Sequence, residues 1–127
     1  MEDFVYFNLG KKLKEKGFSC EYPFAMYNED GDFFPLYSSD KYYYGIEDFD
    51  KHDYIAPTIS QVLKWLREKY SIHISTKPYH CDDGIMWFYE IRKFNKHIIF
   101  VAANKTGFIK EEQAAIEGIS YVLDNLI

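Results

Sequence analysis

The chain has 127 residues, of which 47% are apolar, 28% charged and 20% aromatic, with a net charge of -5. That is enough apolar material for one domain of ordinary size with a real core, spanning residues 1–127, and no staples are required. Two cysteines set 61 positions apart, Cys20 and Cys81, suggest neither a disulfide framework nor a zinc knuckle, so a reducing, cytoplasmic setting is expected.

The amino terminus places acids before its basic residues, the reverse of a secretory signal, and no apolar run reaches the length of a membrane span. Charge is uneven along the chain. Residues 1–57 hold 6 Lys and Arg against 12 Asp and Glu, whereas 58–127 hold 9 against 8. A duplex nucleic-acid binder ordinarily shows a clustered basic face, which this composition lacks. Fifteen of the 25 aromatic residues fall in the acidic front half. Tyrosine combines a wide, stiff contact area with a polar tip, so this enrichment suits a recognition surface as well as a small core filled with rings.

Residues 3–16 carry Val5, Leu9 and Leu13 on one helical stripe, with Tyr6 beside them and Lys11, Lys12, Lys14 and Lys16 toward the carboxyl end. Gly17 is placed to stop this helix in a left-handed conformation, with Phe18 folding back on the last turn. Residues 20–27 and 32–37 predict two short strands around the turn Asn28–Gly31. Pro23 and Pro35 lack ladder donors, so these strands are expected at a sheet edge or as an irregular ribbon. Ser38 to Ala56 has no clean period and reads as an acidic, Tyr-rich loop (38–57 as a segment), long enough to be functional or disordered.

Thr58 and Gln61 have capping-box spacing after Pro57 and open a second helix with Ile59, Val62, Leu63, Leu66 and Tyr70 on its apolar stripe. Trp65 lies about 100° from the centre of that stripe and must therefore meet a second surface. Three strand-like runs follow, Ile72–Tyr79, Ile85–Arg92 and His97–Ala103, an antiparallel meander. In the first run Ile72, Ile74 and Thr76 share one face, and His73, Ser75 and Lys77 share the other, wetter one. Lys110–Ile127 closes the chain as a helix with Glu111 and Glu112 in its first turn. The expected fold class is α+β: a helix and short hairpin over 1–37, the loop, then an α-β-β-β-α unit over 58–127.

LKEKGFSC near the start, the Tyr-rich middle, APTISQVLKWLREKYSIHIS and the terminal EEQAAIEGISYVLDNLI together make nearly the whole chain resemble a family of small uncharacterised proteins of Bacteroides-type gut bacteria and their phages or prophages. The likeness rests on Ala56, Pro57, Thr58, Trp65, Leu66, Arg67 and the strand Ile72-His73-Ile74. It implies origin in a phage or mobile element, and it carries no assigned biochemistry. The chain departs from the family in Asn104–Ile109, a longer lead into the last helix. A second likeness is topological: an α-β-β-β-α unit of this length is similar to the double-stranded RNA binding fold. That fold needs basic side chains at the start of its last helix. Here Lys110 is followed by Glu111, Glu112 and Gln113, and two carboxylates repel phosphate.

His80-Cys81-Asp82-Asp83 aligns four donors, which His73 or His97 could complete as a metal site, but adjacent strand residues point to opposite faces. A Cys81 nucleophile with His73, His80 or His97 as base is a further arithmetic option. Asn28–Asp32 lacks the oxygen spacing and closing Glu of a calcium loop. Asp48, Asp50 and Asp53 are better read as solvated acids than as a glycosidase pair. No phosphate cradle or nucleophile elbow occurs. The expectation is a non-enzymatic protein-binding module without cofactor or metal, contacting an unknown protein through Tyr42, Tyr43, Tyr44, Phe49 and Trp65. A homo-oligomer is left open, and neither nucleic acid nor membrane is the expected partner. The alternative is a single-stranded nucleic-acid module that stacks bases on the wet face of the meander.

Overall fold

A computed structural model describes residues 3–20, 23–35, 53–95, 97–104 and 106–127. The fold is mixed α+β, with three helices and two three-stranded antiparallel sheets among the described residues. Two compact units divide the chain, residues 2–61 and 62–127, and their boundary falls inside the second helix.

In the first unit α1 runs Phe7–Glu15. It starts four residues later than the periodicity predicts, because the preceding backbone is engaged elsewhere. Phe4 bridges Thr58, Val5 N–H donates to Pro57 O at 3.0 Å, and Ile59 N–H donates to Asp3 O at 2.9 Å. Val5, Leu9 and Leu13 are buried as their stripe requires, whereas Tyr6 is exposed. The carboxyl end is a Schellman cap. Gly17 adopts φ +80°, its N–H reaches Lys14 O, and Phe18 N–H reaches Leu13 O at 2.9 Å while the Phe18 ring is buried.

The predicted hairpin forms from β1, Ala25–Tyr27, and β2, Phe33–Pro35. Both strands are shorter than their apolar runs. The turn is held by Asn28, whose Oδ1 accepts from Asp30 N–H and Asp32 N–H at 3.0 and 2.9 Å, with Gly31 at φ +87°. Residues Tyr54–Ile55, assigned to the loop by their lack of period, instead form β3 and pair with Tyr27 and Met26, so the sheet order is β2-β1-β3. A two-residue strand carries no readable alternation. α1 packs on β3: Lys14 Nζ donates to Asp53 O at 2.8 Å and lies 4.8 Å from the Tyr54 ring centroid. Phe4, Phe7, Tyr27, Phe33 and Tyr54 meet edge to face at 5.1–5.6 Å, so these front-half rings fill space between elements.

α2, Ile59–Tyr70, opens on the capping box read from the sequence. Thr58 N–H donates to Gln61 Oε1 at 2.9 Å, and Gln61 N–H donates to Thr58 Oγ1 at 3.2 Å. Ile59, Val62 and Leu66 are fully buried, and Leu63 and Tyr70 are half-buried. Ser71 turns the chain with φ +56°, and its carbonyl accepts from Phe94 N–H at 2.9 Å.

In the second unit β4, Ile72–Cys81, β5, Gly84–Asn95, and β6, His97–Ala103, form the meander in the order β4-β5-β6. β5 runs on through residues predicted as a turn, ending at Asn95, because Lys93 and Phe94 pair with Ile99 and Ile98. A bulge between Ile91 and Arg92 leaves Val101 as the extra residue on β6. α3, Glu111–Asn125, packs on β4 and β5, covering Ile72, Ile74, Tyr89 and Ile91. Gly118 permits the close approach: a Cβ there would lie 2.9 Å from Ile74 Cγ2. The segment before α3, predicted only as a long lead, continues the sheet where β6 ends. Asn104 Oδ1 accepts from Tyr89 N–H at 2.7 Å, and Phe108 exchanges two backbone hydrogen bonds with Trp87.

Candidate functional site: the open face of the meander

Strand alternation assigns the two faces of this sheet. α3 covers one. On the other, the ladder register sets His73, Ser75, Lys77 and Tyr79 of β4 beside Met86, Phe88, Glu90, Arg92 and Phe94 of β5, with Ile98, Phe100 and Ala103 of β6 beyond. Rings remain in solvent here. Tyr79 is 51% exposed, Phe94 43%, Ile98 65% and Phe100 56%.

The polar residues of this face converge on one carboxylate. Glu90 Oε2 lies 3.0 Å from Lys77 Nζ and 2.7 Å from Arg92 Nη1. The Lys77 hydrogen bond first, and the Arg92 hydrogen bond second, hold the Glu90 carboxyl below the usual carboxylate range. Arg92 also sets its guanidinium 5.8 Å from the Phe100 ring centroid. Tyr79 meets Phe88 edge to face at 5.2 Å, and His73 meets Phe94 at 5.9 Å. Beside Glu90 an open hollow of about 270 Å³ is lined by Tyr79, Phe88, Tyr89, Glu90, Ala103 and Asn104. Its wall is mostly carbon. The arrangement can seat an apolar or aromatic group against rings with a few charges for orientation, and it presents no nucleophile–base pair.

Of the residues singled out by sequence, Tyr42, Tyr43, Tyr44 and Phe49 lie outside the described residues. Trp65 is half-buried; it meets Tyr70 edge to face at 5.3 Å, with Lys69 Nζ 5.5 Å from its ring centroid. Among the described residues no three His, Cys, Asp or Glu side chains gather as metal ligands would. His73 and Cys81 stand near opposite ends of β4, roughly 26 Å apart at the ordinary strand rise, which separates one of the three suggested bases from the suggested nucleophile. Cys20 is half-buried, and burial pushes its thiol up to about 11, away from thiolate chemistry at neutral pH. Glu111, at the start of α3, accepts from Thr76 Oγ1 at 2.9 Å, so a carboxylate bonded to the sheet occupies the place where an RNA-binding fold needs a cation.

Sequence reading marked the wet face through His73, Ser75 and Lys77. It did not single out Tyr79, Phe94, Ile98 and Phe100 as its exposed rings and branches. The available signal was period-2 alternation through Ile85–Asn95, where every second residue, Met86, Phe88, Glu90, Arg92 and Phe94, faces away from the helix. Among the described residues, no helix is long and apolar enough to cross a membrane. No family model, curated protein or solved structure matches the chain.

Proposed function

We propose that the chain is a non-enzymatic binding module that recognises another protein. Its resemblance to small phage and prophage proteins makes a cytoplasmic accessory protein of a mobile element the proposed setting. The observation that carries the reading is the open sheet face, where Phe94, Ile98 and Phe100, 43–65% exposed, stand together at one end and Tyr79, 51% exposed, stands toward the other. Patches of this kind on a folded domain mark interaction surfaces, and rings supply most of the binding energy in such surfaces. Lys77 and Arg92, each paired with Glu90 between these exposed groups, are suited to orienting a partner more than to holding it. Tyr42, Tyr43, Tyr44, Phe49 and Trp65 are proposed as further contacts.

The test compares affinity capture by the wild-type chain with capture by Tyr79→Ser/Phe94→Ser and Tyr43→Ala/Tyr44→Ala. A saturable partner lost on substitution, with circular dichroism unchanged, is the expected result. Retention of the same partners by both double variants would overturn the reading.

A single-stranded nucleic-acid module is the second reading, favoured by the placement of Lys77 and Arg92 among Tyr79, Phe88 and Phe100 on one face. Against it, Glu90 already engages both cations and the chain is acidic overall. Oligonucleotide titration decides: binding at low salt that weakens steeply as ionic strength rises would favour this second reading over the first.

A further inference from the structure

The two edges of the β4-β5-β6 sheet differ in kind. β4 carries Lys77, exposed, and Pro78, which lacks an N–H; both features discourage edge-to-edge pairing. β6 reads HIIFVAA and has no lysine, arginine, acid or proline. Among the described residues it pairs with β5 on one side and with no strand on the other. Its open-face side chains are well exposed, Ile98 at 65% and Phe100 at 56%. A seven-residue edge in which six residues are apolar is a template for another strand.

We propose that β6 pairs antiparallel with β6 of a second copy across a two-fold axis at Ile99, joining two meanders into one six-stranded sheet. The register follows from the faces. Ile98 and Phe100 lie on the open face and the bulge at Val101 shifts the residues beyond, so antiparallel self-pairing keeps like faces together when Ile98 of each copy stands opposite Phe100 of the other. Each two-fold repeat then gains two cross-strand contacts between a β-branched and an aromatic side chain, a favourable pair type. A second copy fits this edge better than an unrelated charged strand, because a β6 edge has no charge to offer or to answer. Self-pairing also closes the assembly. Both unprotected edges are consumed and both protected β4 edges remain outside, so the product is a dimer and not a fibre.

The surface covered is small. Ile98 and Phe100 contribute roughly 200 Å² of side chain per copy, and with the strand backbone the contact falls at the low end of specific interfaces. The dimer is therefore weak and concentration-dependent. Ile98 and Phe100 also belong to the face of the protein-binding reading, but the test is separate from that one, because it concerns the purified chain alone.

Sedimentation velocity of the full chain over a series rising into the millimolar range tests it, alongside Ile98→Lys and Tyr79→Ser. The expected result is a monomer–dimer equilibrium that Ile98→Lys weakens by roughly tenfold or more and that Tyr79→Ser leaves unchanged. Ile98 is solvent-exposed in the single chain, so the lysine variant retains its circular dichroism spectrum. Isotope-filtered NOEs in a mixed labelled and unlabelled wild-type sample give a second readout, with Ile98 methyl to Phe100 ring contacts expected between copies. A monomer throughout the series, open-ended oligomers, or a dimer indifferent to Ile98→Lys would each overturn the proposal.

Discussion

Gly118 and Ser71 show opposite ways in which one residue meets the backbone around it. At Gly118, inside α3, a methyl group would lie 2.9 Å from Ile74 Cγ2 and 3.2 Å from Tyr89 Cγ, atoms next to the strand backbone that have little room to move. Overpacking of this kind costs about 1–3 kcal/mol, against about 1 kcal/mol of helix propensity gained by alanine. Gly118→Ala is therefore expected to lose up to about 2 kcal/mol in urea unfolding, although alanine is the better helix former. Ser71 holds φ +56° at the end of α2. A left-handed backbone costs a non-glycine residue about 1–2 kcal/mol, and glycine returns about half of that as chain entropy. Ser71→Gly is expected to raise stability by about 0.5–1 kcal/mol; a loss in the same unfolding assay would show that this turn is not strained.

Among elements, the meander is held by its α3 side and decorated on the other. The Lys77–Glu90–Arg92 cluster ties β4 to β5 on the open face. Because both cations depress the folded-state Glu90 carboxyl, their contribution is present above the ordinary carboxylate range and fades as pH falls through the lower folded value. Glu90→Gln should accordingly lower the melting temperature at neutral pH by the equivalent of about 0.5–1 kcal/mol. Its deficit relative to the wild type should shrink steadily in acid. A difference between the two curves that is constant with pH would contradict the ionised cluster. The faces themselves predict a contrast: Tyr89→Ala, on the buried side, should cost about 3 kcal/mol or more, and Tyr79→Ala, 51% exposed, less than about 1 kcal/mol.

Across the whole molecule, local signals and long-range ones divide cleanly. The Gly17 cap, the Thr58–Gln61 box, the Asn28 turn and the alternation of Ile72 to Lys77 were legible in the sequence because each is complete within a few residues. The helix stripes were legible too, since Val5, Leu9, Leu13, Ile59, Val62 and Leu66 repeat at helical spacing and are all buried. What the chain could not announce locally were pairings made with distant partners. Tyr54–Ile55 becomes a strand only because Met26 and Tyr27 lie alongside. Residues 3–6 leave the helix only because Pro57 and Ile59 claim their backbone. Asn104 and Phe108 bond to β5 only because β5 extends past the end of β6. The open aromatic face belongs to the same class. Alternation shows that a strand has two sides, but which of them α3 covers, and which is left with Tyr79, Phe94 and Phe100 in water, is decided by helix-on-sheet packing through Gly118. Hydrophobic period and turn chemistry are properties of neighbouring residues, whereas exposure is a property of everything the chain brings near, and so only the tertiary structure determines it.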